Sequence, residues 1–589
     1  MERNHQSGAN NSSQEDKGGS GRRYFIVKYG PGVTIILVLI VAVVALWLRR
    51  PVPAVQCENG PALALISERG LNKSRFFVDD QVIVTGPTSG VDTVLAGPNL
   101  AKLVLVRECK LHYLRKLSGL RDSRRRYFPF PGDVLDELTT RLYYIPDGRS
   151  VGKVVEAINQ ASRLHAVPVS ADYNLLVGHS VCGSPHSSEG SPYGGAPKLL
   201  PVGEEAAVKL FWEQWAFRQT SVGPSLKDTL AGATIMHQGE GVVVGVFDTS
   251  PFADAKDDWK TVKWVNPTMD VEPLALRVSY PEVVNPITIT PSNTPAGTDP
   301  DTLDDVRDHG LFVAGLVHAV APASELRLIR VLNEHGCGDL FMLNEALERF
   351  TGQMKKERGT LEGVVINLSL GVHDPEEGVI LDKCRPLDPE REDREDDIVS
   401  LCTALSGAYN EGAVIVAAAG NRPYNEAEAG TDPDNEDEPQ SAQIPAAYEF
   451  VIGVKASNVS GGSACFSYDG DVFAPGGEGD AANDCAPNVD GCSGDCKSAV
   501  IGPVLSPPRN DAYWPTHYAY WSGTSFSTPL VSGVAALVRQ AGLAQADAGG
   551  VHANTWQDPD LVAKVIYCGA IPPPDGVINV PNTLIDCLP

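Results

Sequence analysis

Gly523-Thr524-Ser525-Phe526-Ser527-Thr528-Pro529, followed by the apolar, small-residue run at 530–538, is the stretch on which the fold turns. Glycine and small hydroxyl residues allow a tight backbone turn, and the run behind them is helix-compatible. Ser525 is therefore expected near a helix N-terminus, where the positive end of the helix dipole favours developing negative charge. A serine so presented is a candidate nucleophile. An alcohol is a poor nucleophile at neutral pH, so it needs a base within hydrogen-bond reach and an acid that orients the base.

Both lie upstream. Val242-Val243-Val244-Gly245-Val246-Phe247 is a continuous apolar run of the kind that forms a strand buried on both faces, and it ends on Asp248. A carboxylate at the C-terminal edge of such a strand sits where open parallel sheets keep their active sites. The base candidate is His309 in Asp308-His309-Gly310-Leu311-Phe312-Val313-Ala314-Gly315, whose small and apolar residues suit a helix packed closely on a sheet. The chain order is Asp, His, Ser.

In that order Asp248, His309 and Ser525 resemble the catalytic triad of the subtilisin-like serine proteases, and the resemblance runs over residues 242–538. Val416-Ala417-Ala418-Ala419-Gly420-Asn421 is similar to the family strand ending in the oxyanion-hole asparagine. This implies that the Asn421 amide and the Ser525 N–H hold the oxyanion. Val365-Ile366-Asn367-Leu368-Ser369-Leu370-Gly371 resembles the family's substrate strand, so Ser369, Leu370 and Gly371 would pair with an extended peptide, with Ala418, Ala419 and Gly420 as the facing wall. Those walls are small and apolar and imply an apolar or aromatic side chain before the cut, while Arg422 would disfavour a basic one. Two departures stand out: Leu311 and Phe312 replace the family's usual Thr and second His, and Thr249-Ser250 follows Asp248 where a glycine is usual at the second position. The first reads as repacking behind His309. The second leaves the local loop geometry open.

The implied fold is α/β: a subtilisin-like three-layer fold with a mostly parallel central sheet, preceded by a small α+β propeptide-like domain and one transmembrane helix. Apolar strands are expected near 242, 326, 364, 414 and 451, and helices at 309–319, 341–350 and 398–410. At 589 residues, 43% of them hydrophobic, the chain exceeds one compact domain and can bury a sizeable core. We divide it into a polar tail at 1–28, a membrane helix at 29–48, a propeptide-like domain at 57–182, a Gly/Ser/Pro-rich linker at 183–215 and the peptidase domain at 216–589. Within the propeptide-like region, 76–85 and 166–177 read as strands, and 133–142 and 151–164 as helices. This match to the family's inhibitory domain is one of position and pattern, without a motif. A permanent accessory domain is the other reading.

Residues 29–48 carry no charge and are bounded by Arg22, Arg23 and Lys28 before and Arg49 and Arg50 after. Twenty helical residues span about 30 Å, enough for a hydrocarbon core. Four basic residues precede the helix against two immediately after it, which favours a cytoplasmic N-terminus and a protease outside. A cleaved signal peptide or a twin-arginine export signal would deliver the same domain to the same side. All 12 cysteines follow the helix, an even number that suits disulfides in an oxidising compartment. Cys384 with Cys402, the Cys485, Cys492 and Cys496 cluster, and Cys568 with Cys587 could each close a local loop; the pairing itself does not follow from sequence.

The net charge of −26 makes nucleic acid an unsuitable partner. Acids concentrate at 374–397 and 432–438, which read as solvated insertions or, alternatively, as oxygen ligands for a structural calcium that no residue pins down. No metal or organic cofactor is expected to take part in catalysis. The expected partners are protein or peptide substrates, the membrane through the N-terminal helix, and the chain's own propeptide-like domain as inhibitor. The expected activity is serine endopeptidase through an acyl-enzyme, with release of the processed domain once the linker is cut. A catalytically silent exported binding or signalling protein on the same scaffold, and a zymogen cut from outside, are the alternatives.

Overall fold

The structure, a computed structural model, describes residues 56–59, 77–111, 127–130, 138–178, 197–200, 202–222, 238–252, 260–264, 274–279, 306–372, 384, 398–421, 441–464, 466–477, 498–505, 517–547, 557–571 and 576–588. The expected tail, the membrane helix, Arg422, the Cys485, Cys492 and Cys496 cluster and, Cys384 apart, the acid-rich stretches lie outside these residues. Among the described residues, no helix is long and apolar enough to cross a membrane.

The N-terminal part contributes strands β1 (Gln56–Asn59), β2 (Phe77–Pro87), β3 (Val104–Leu111), β4 (Leu138–Tyr144) and β5 (Ser170–Gly178), with helices α1 (Thr88–Leu95) and α2 (Val151–Leu164). The expected helix at 133–142 is corrected: Leu138–Tyr144 is a strand, buried at every residue and paired antiparallel with both β2 and β3. Thr139, Thr140, Leu142, Tyr143 and Tyr144 are β-branched or bulky residues that suit a two-sided buried strand, and tertiary pairing overrides the helical pattern.

The peptidase part contributes β6 (Lys198–Leu199), α3 (Glu204–Trp212), α4 (Trp215–Thr220), β7 (Val243–Asp248), β8 (Lys260–Trp264), β9 (Leu274–Ser279), α5 (His309–Val320), β10 (Glu325–Arg330), β11 (Cys337–Asp339) and α6 (Leu340–Arg358). It continues with β12 (Val364–Leu368), β13 (Gly371–Val372), α7 (Val399–Asn410), β14 (Val414–Ala418), β15 (Ile452–Ser457), β16 (Val472–Pro475), β17 (Val500–Val504), β18 (His517–Trp521), α8 (Thr524–Asp547), α9 (Pro559–Gly569), β19 (Ala570–Ile571), β20 (Val577–Ile578) and α10 (Val580–Ile585). The central sheet runs β19-β20-β16-β15-β14-β12-β7-β10-β9-β8 and is parallel from β20 through β9. All five expected strands lie in it.

Alternation along these strands divides the interior. Val244, Val246, Val416 and Val454 join one core with α5 and α8, while Val243, Phe247, Ile366 and Ala417 join a second with α6 and α7. Period-two alternation with both faces apolar puts helices on both sides of a parallel sheet. The second core continues into the N-terminal part through residues such as Val82, Ile83 and Ile158, so the N-terminal sheet lies against α6 and α7. That sheet also takes in peptidase strands: β5 pairs antiparallel with β11 and with β13.

Residues 198–215, inside the expected linker, are built into the peptidase part. Lys198–Leu199 pairs with β18, and Gln214 and Trp215 hydrogen-bond the backbone of Ile501 and Ala499. Apolar residues such as Ala207, Val208, Phe211 and Trp212 bury in the α5/α8 core, which a Gly/Ser/Pro-based boundary could not register. Disulfides join Cys384 to Cys402 and Cys568 to Cys587, as two of the expected local loops.

Candidate active site

Four elements converge at the C-terminal edge of the central sheet. β7 ends on Asp248, α5 begins on His309, β14 leads through Ala419 and Gly420 to Asn421, and α8 opens at Thr524 with Ser525 as its second residue. All four side chains are nearly or fully buried.

His309 Nδ1 lies 2.8 and 2.9 Å from the two oxygens of Asp248, and the Thr249 N–H donates to Asp248 Oδ1 at 2.7 Å. A carboxylate so bonded fixes the imidazole with its proton on Nδ1 and Nε2 as the basic nitrogen. Gly310 makes the approach possible: a Cβ there would meet the Thr249 carbonyl at 2.3 Å and Asp248 Cβ at 2.9 Å, so only glycine lets α5 start against the end of β7.

The Thr249 departure is resolved by its hydroxyl. It donates to the Val306 and Arg307 carbonyls (3.2 and 3.0 Å) and accepts from the Gly310 N–H at 3.1 Å. One side chain thus ties the acid's loop to the first turn of the helix bearing the base. The Leu311 and Phe312 departure is repacking, as expected. Phe312 packs on Phe526 and Trp521 at centroid distances of 4.6 and 5.6 Å, in space that exists because position 502 of β17 is glycine; a Cβ there would lie 2.5 Å from the Phe312 ring. Trp521 and Phe526 also flank the His309 ring, at 5.2 and 5.0 Å.

Pro529 shapes the serine's turn. Having no N–H, it cannot bond the carbonyl four residues back, which is that of Ser525. The Ser369 hydroxyl supplies the missing donor at 2.8 Å, and is itself held by Asn367 Nδ2, whose Oδ1 accepts from Ser532 of α8. The Ser525 hydroxyl donates in turn to the Ser369 carbonyl at 3.1 Å. The Ser525 N–H, in the first turn of α8, has no acceptor among the described residues, as expected of a helix N-terminus. Asn421 Oδ1 accepts from the Thr524 N–H and hydroxyl, both at 3.0 Å, which turns its NH₂ end away from Thr524. Asn421 is thus fixed against the residue that precedes Ser525.

The expected substrate residues sit as follows: Ser369 and Leu370 follow β12, Gly371 opens β13, Ala418 ends β14, and Ala419 and Gly420 follow it. Gly371 and Val372 are paired antiparallel with Gly178 and Val177 of β5. The bracing roles of the Thr249 and Ser369 hydroxyls and the packing of Trp521 on His309 escaped the sequence reading, because hydroxyls and aromatics carry no motif of their own. No cluster of His, Cys, Asp or Glu suited to a metal occurs among the described residues.

The Subtilase family profile matches residues 239–555, just over half of the chain, and every residue of this constellation falls inside that span. The chain belongs to the Subtilase family. A thermophilic serine proteinase of Bacillus sp. (strain AK1) is 28% identical over 251 residues, which are 40% of this chain and 44% of that protein. Subtilisin Savinase of Lederbergia lenta is 28% identical over 254 residues, 41% of this chain and 66% of that one. The chain thus spans under two thirds of the length of these curated relatives. The solved structure of the epidermin leader peptide processing serine protease of Staphylococcus aureus covers 86% of this chain and 99% of its own, at 16% identity and a TM-score of 0.46.

Proposed function

We propose that the chain is a serine endopeptidase that hydrolyses peptide bonds through an acyl-enzyme. Asp248 orients His309 and stabilises its cation, His309 takes the proton from Ser525 as it attacks the carbonyl, and Asn421 Nδ2 with the Ser525 N–H receives the oxyanion. His309 returns the proton to the leaving amine, and water repeats the sequence in reverse roles. Before the attack the Ser525 hydroxyl turns from the Ser369 carbonyl to His309 Nε2 by rotation about χ1. The observation that carries this reading is the Asp248–His309 pair beside a serine whose backbone N–H, at the start of α8, is without an acceptor among the described residues.

The N-terminal part acts, in this reading, as an intramolecular inhibitor. Three contacts support it: β5 occupies the edge of β13 next to the substrate strand, Asn174 Oδ1 accepts from the Phe341 N–H in the first turn of α6, and Asp172 Oδ2 accepts from Ser400 in that of α7. A cut between β5 and β6, within 179–197, separates the two parts and leaves β5 and β6 whole. Residues 29–48 tether the precursor to a membrane with the peptidase outside the cytoplasm, and the cut releases it; this rests on sequence alone.

The test compares the full-length chain in detergent, wild type beside Ser525→Ala. Fluorophosphonate labelling at Ser525 and a cut within 179–197 in the wild type only are expected. If the wild type takes no label after the N-terminal part has been removed by an added protease, the catalytic reading is wrong and the silent-scaffold alternative stands.

A further inference from the structure

The proposed substrate groove has a floor that the sequence reading did not identify. Gly371 and Gly420, at the ends of its two walls, face a single side chain. A Cβ on Gly371 would lie 2.7 Å from Gln443 Oε1, and one on Gly420 would lie 2.6 Å from the same atom. Both distances are shorter than real Cβ contacts, so the Gln443 carboxamide lies directly against both glycines and bridges the walls. Tyr468 closes the Gly420 side, its Cδ2 standing 2.7 Å from the same Cβ position and its N–H donating to the Gly420 carbonyl at 3.1 Å.

Backbone bonds hold Gln443 in place. Its N–H donates to the Ala419 carbonyl at 2.8 Å, the Val372 N–H donates to the Ile444 carbonyl at 2.9 Å, and the Ala447 N–H donates to the Gln443 carbonyl at 3.1 Å. The segment is thus stitched to both walls, and the side chain has little room to leave. The carboxamide itself is half-buried and makes no hydrogen bond among the described residues. A primary amide offers two donors and an acceptor, and leaving them unmet in a half-dry groove costs free energy that a bound group could recover.

We propose that Gln443 is the residue that sets the choice of side chain before the scissile bond, favouring an uncharged, hydrogen-bonding side chain such as that of Gln, Asn, Ser or Thr. The amide shortens the space between the glycine faces, so an aromatic side chain entering it would meet a polar group that it cannot satisfy. Sites built to hydrogen-bond a substrate group reject analogues lacking that group far more strongly than apolar pockets reject a change of size. This replaces the apolar or aromatic preference that small walls alone imply, and it rests on the endopeptidase reading above.

The test uses the full-length chain in detergent, with fluorophosphonate labelling of Ser525 as an independent check on the catalytic machinery. Fluorogenic peptides identical except for Gln, Asn, Thr, Phe or Lys before the cut are compared by kcat/KM. The wild type is expected to prefer Gln, Asn or Thr over Phe by at least tenfold. Gln443→Ala is expected to reverse that ratio, and Gln443→Glu, which keeps the volume, to raise Lys at least tenfold. Wild-type preference for Phe or Lys, or a profile unchanged in both variants while labelling persists, overturns the assignment of Gln443 alone. Absence of both labelling and cleavage, once the N-terminal part has been removed by an added protease, overturns the endopeptidase reading and this one with it.

Discussion

Two equally buried carboxylates on opposite faces of the central sheet meet different fates. Asp248 receives His309 Nδ1 on both oxygens and the Thr249 N–H, and Thr249 is itself braced to α5. Glu348, on α6 under the N-terminal sheet, has no hydrogen-bond partner on either oxygen among the described residues. Its neighbour Glu345, three residues back and so on the same face of α6, takes a bidentate ion pair from Arg107 of β3, with Arg349 2.8 Å away. Burial and the Glu345 charge push Glu348 well above its ordinary 4.5, and burial pushes Asp339, which caps α6, up to about 6. A buried carboxylate can stay charged only where donors replace water. The molecule meets that condition at Asp248 and leaves it unmet at Glu348, under the N-terminal sheet.

The strongest way to break this comparison is to remove the chemistry from one side of it. Ser525→Ala is expected to lower kcat roughly a millionfold, and Asp248→Asn about ten-thousandfold with the fold retained, since the histidine tautomer is then wrong. Single-turnover hydrolysis with circular dichroism checks both; an Asp248→Asn enzyme within tenfold of wild type would end the triad assignment. On the other face, Arg107→Ala takes the bidentate partner from Glu345 and leaves that buried charge only the more exposed Arg349 under the N-terminal sheet. It is expected to destabilise the joined structure by about 3–5 kcal/mol, read by urea unfolding in the Ser525→Ala background. An unchanged midpoint would mean that the ion pair is not buried in solution.

Smaller effects sharpen the contrast. Thr249→Val leaves two carbonyls and the Gly310 N–H without the hydroxyl, at a cost of about 1–3 kcal/mol. A loss in kcat rather than KM is expected, because what moves is the end of β7 against α5. Glu348→Gln should alter only the pH dependence of stability. Glu348 and Asp339 bind more protons folded than unfolded, so stability is greatest below their ordinary values, 4.5 and 3.8, and falls as pH rises through the raised ones. Urea midpoints from pH 4 to 8 should fall less steeply in Glu348→Gln than in the parent. Equal slopes would show that Glu348 reaches water.

The sequence laid out the sheet edge that carries the proposed site well because each of its parts is local. An apolar run ending on Asp248, a small-residue helix starting at His309 and a hydroxyl-rich turn before α8 each declare their geometry over a few residues. The N-terminal part was harder to read. Leu138–Tyr144 carries a pattern compatible with a helix and becomes a strand only because β2 and β3 flank it. Residues 198–215 look like the end of a linker until β18 and the α5/α8 core are there to receive them.

Sequence alone determined the family, the order of Asp248, His309 and Ser525, and the parallel sheet that brings strand ends together, because backbone periodicity and turn chemistry are short-range. Tertiary structure decided what fills the space between those residues. Gly502 makes room for Phe312, the Ser369 hydroxyl stands in for the donor Pro529 lacks, and Gln443 lies against Gly371 and Gly420 from a different segment. Such fits depend on distances between residues tens to hundreds of positions apart, and those distances exist only once the layers have packed.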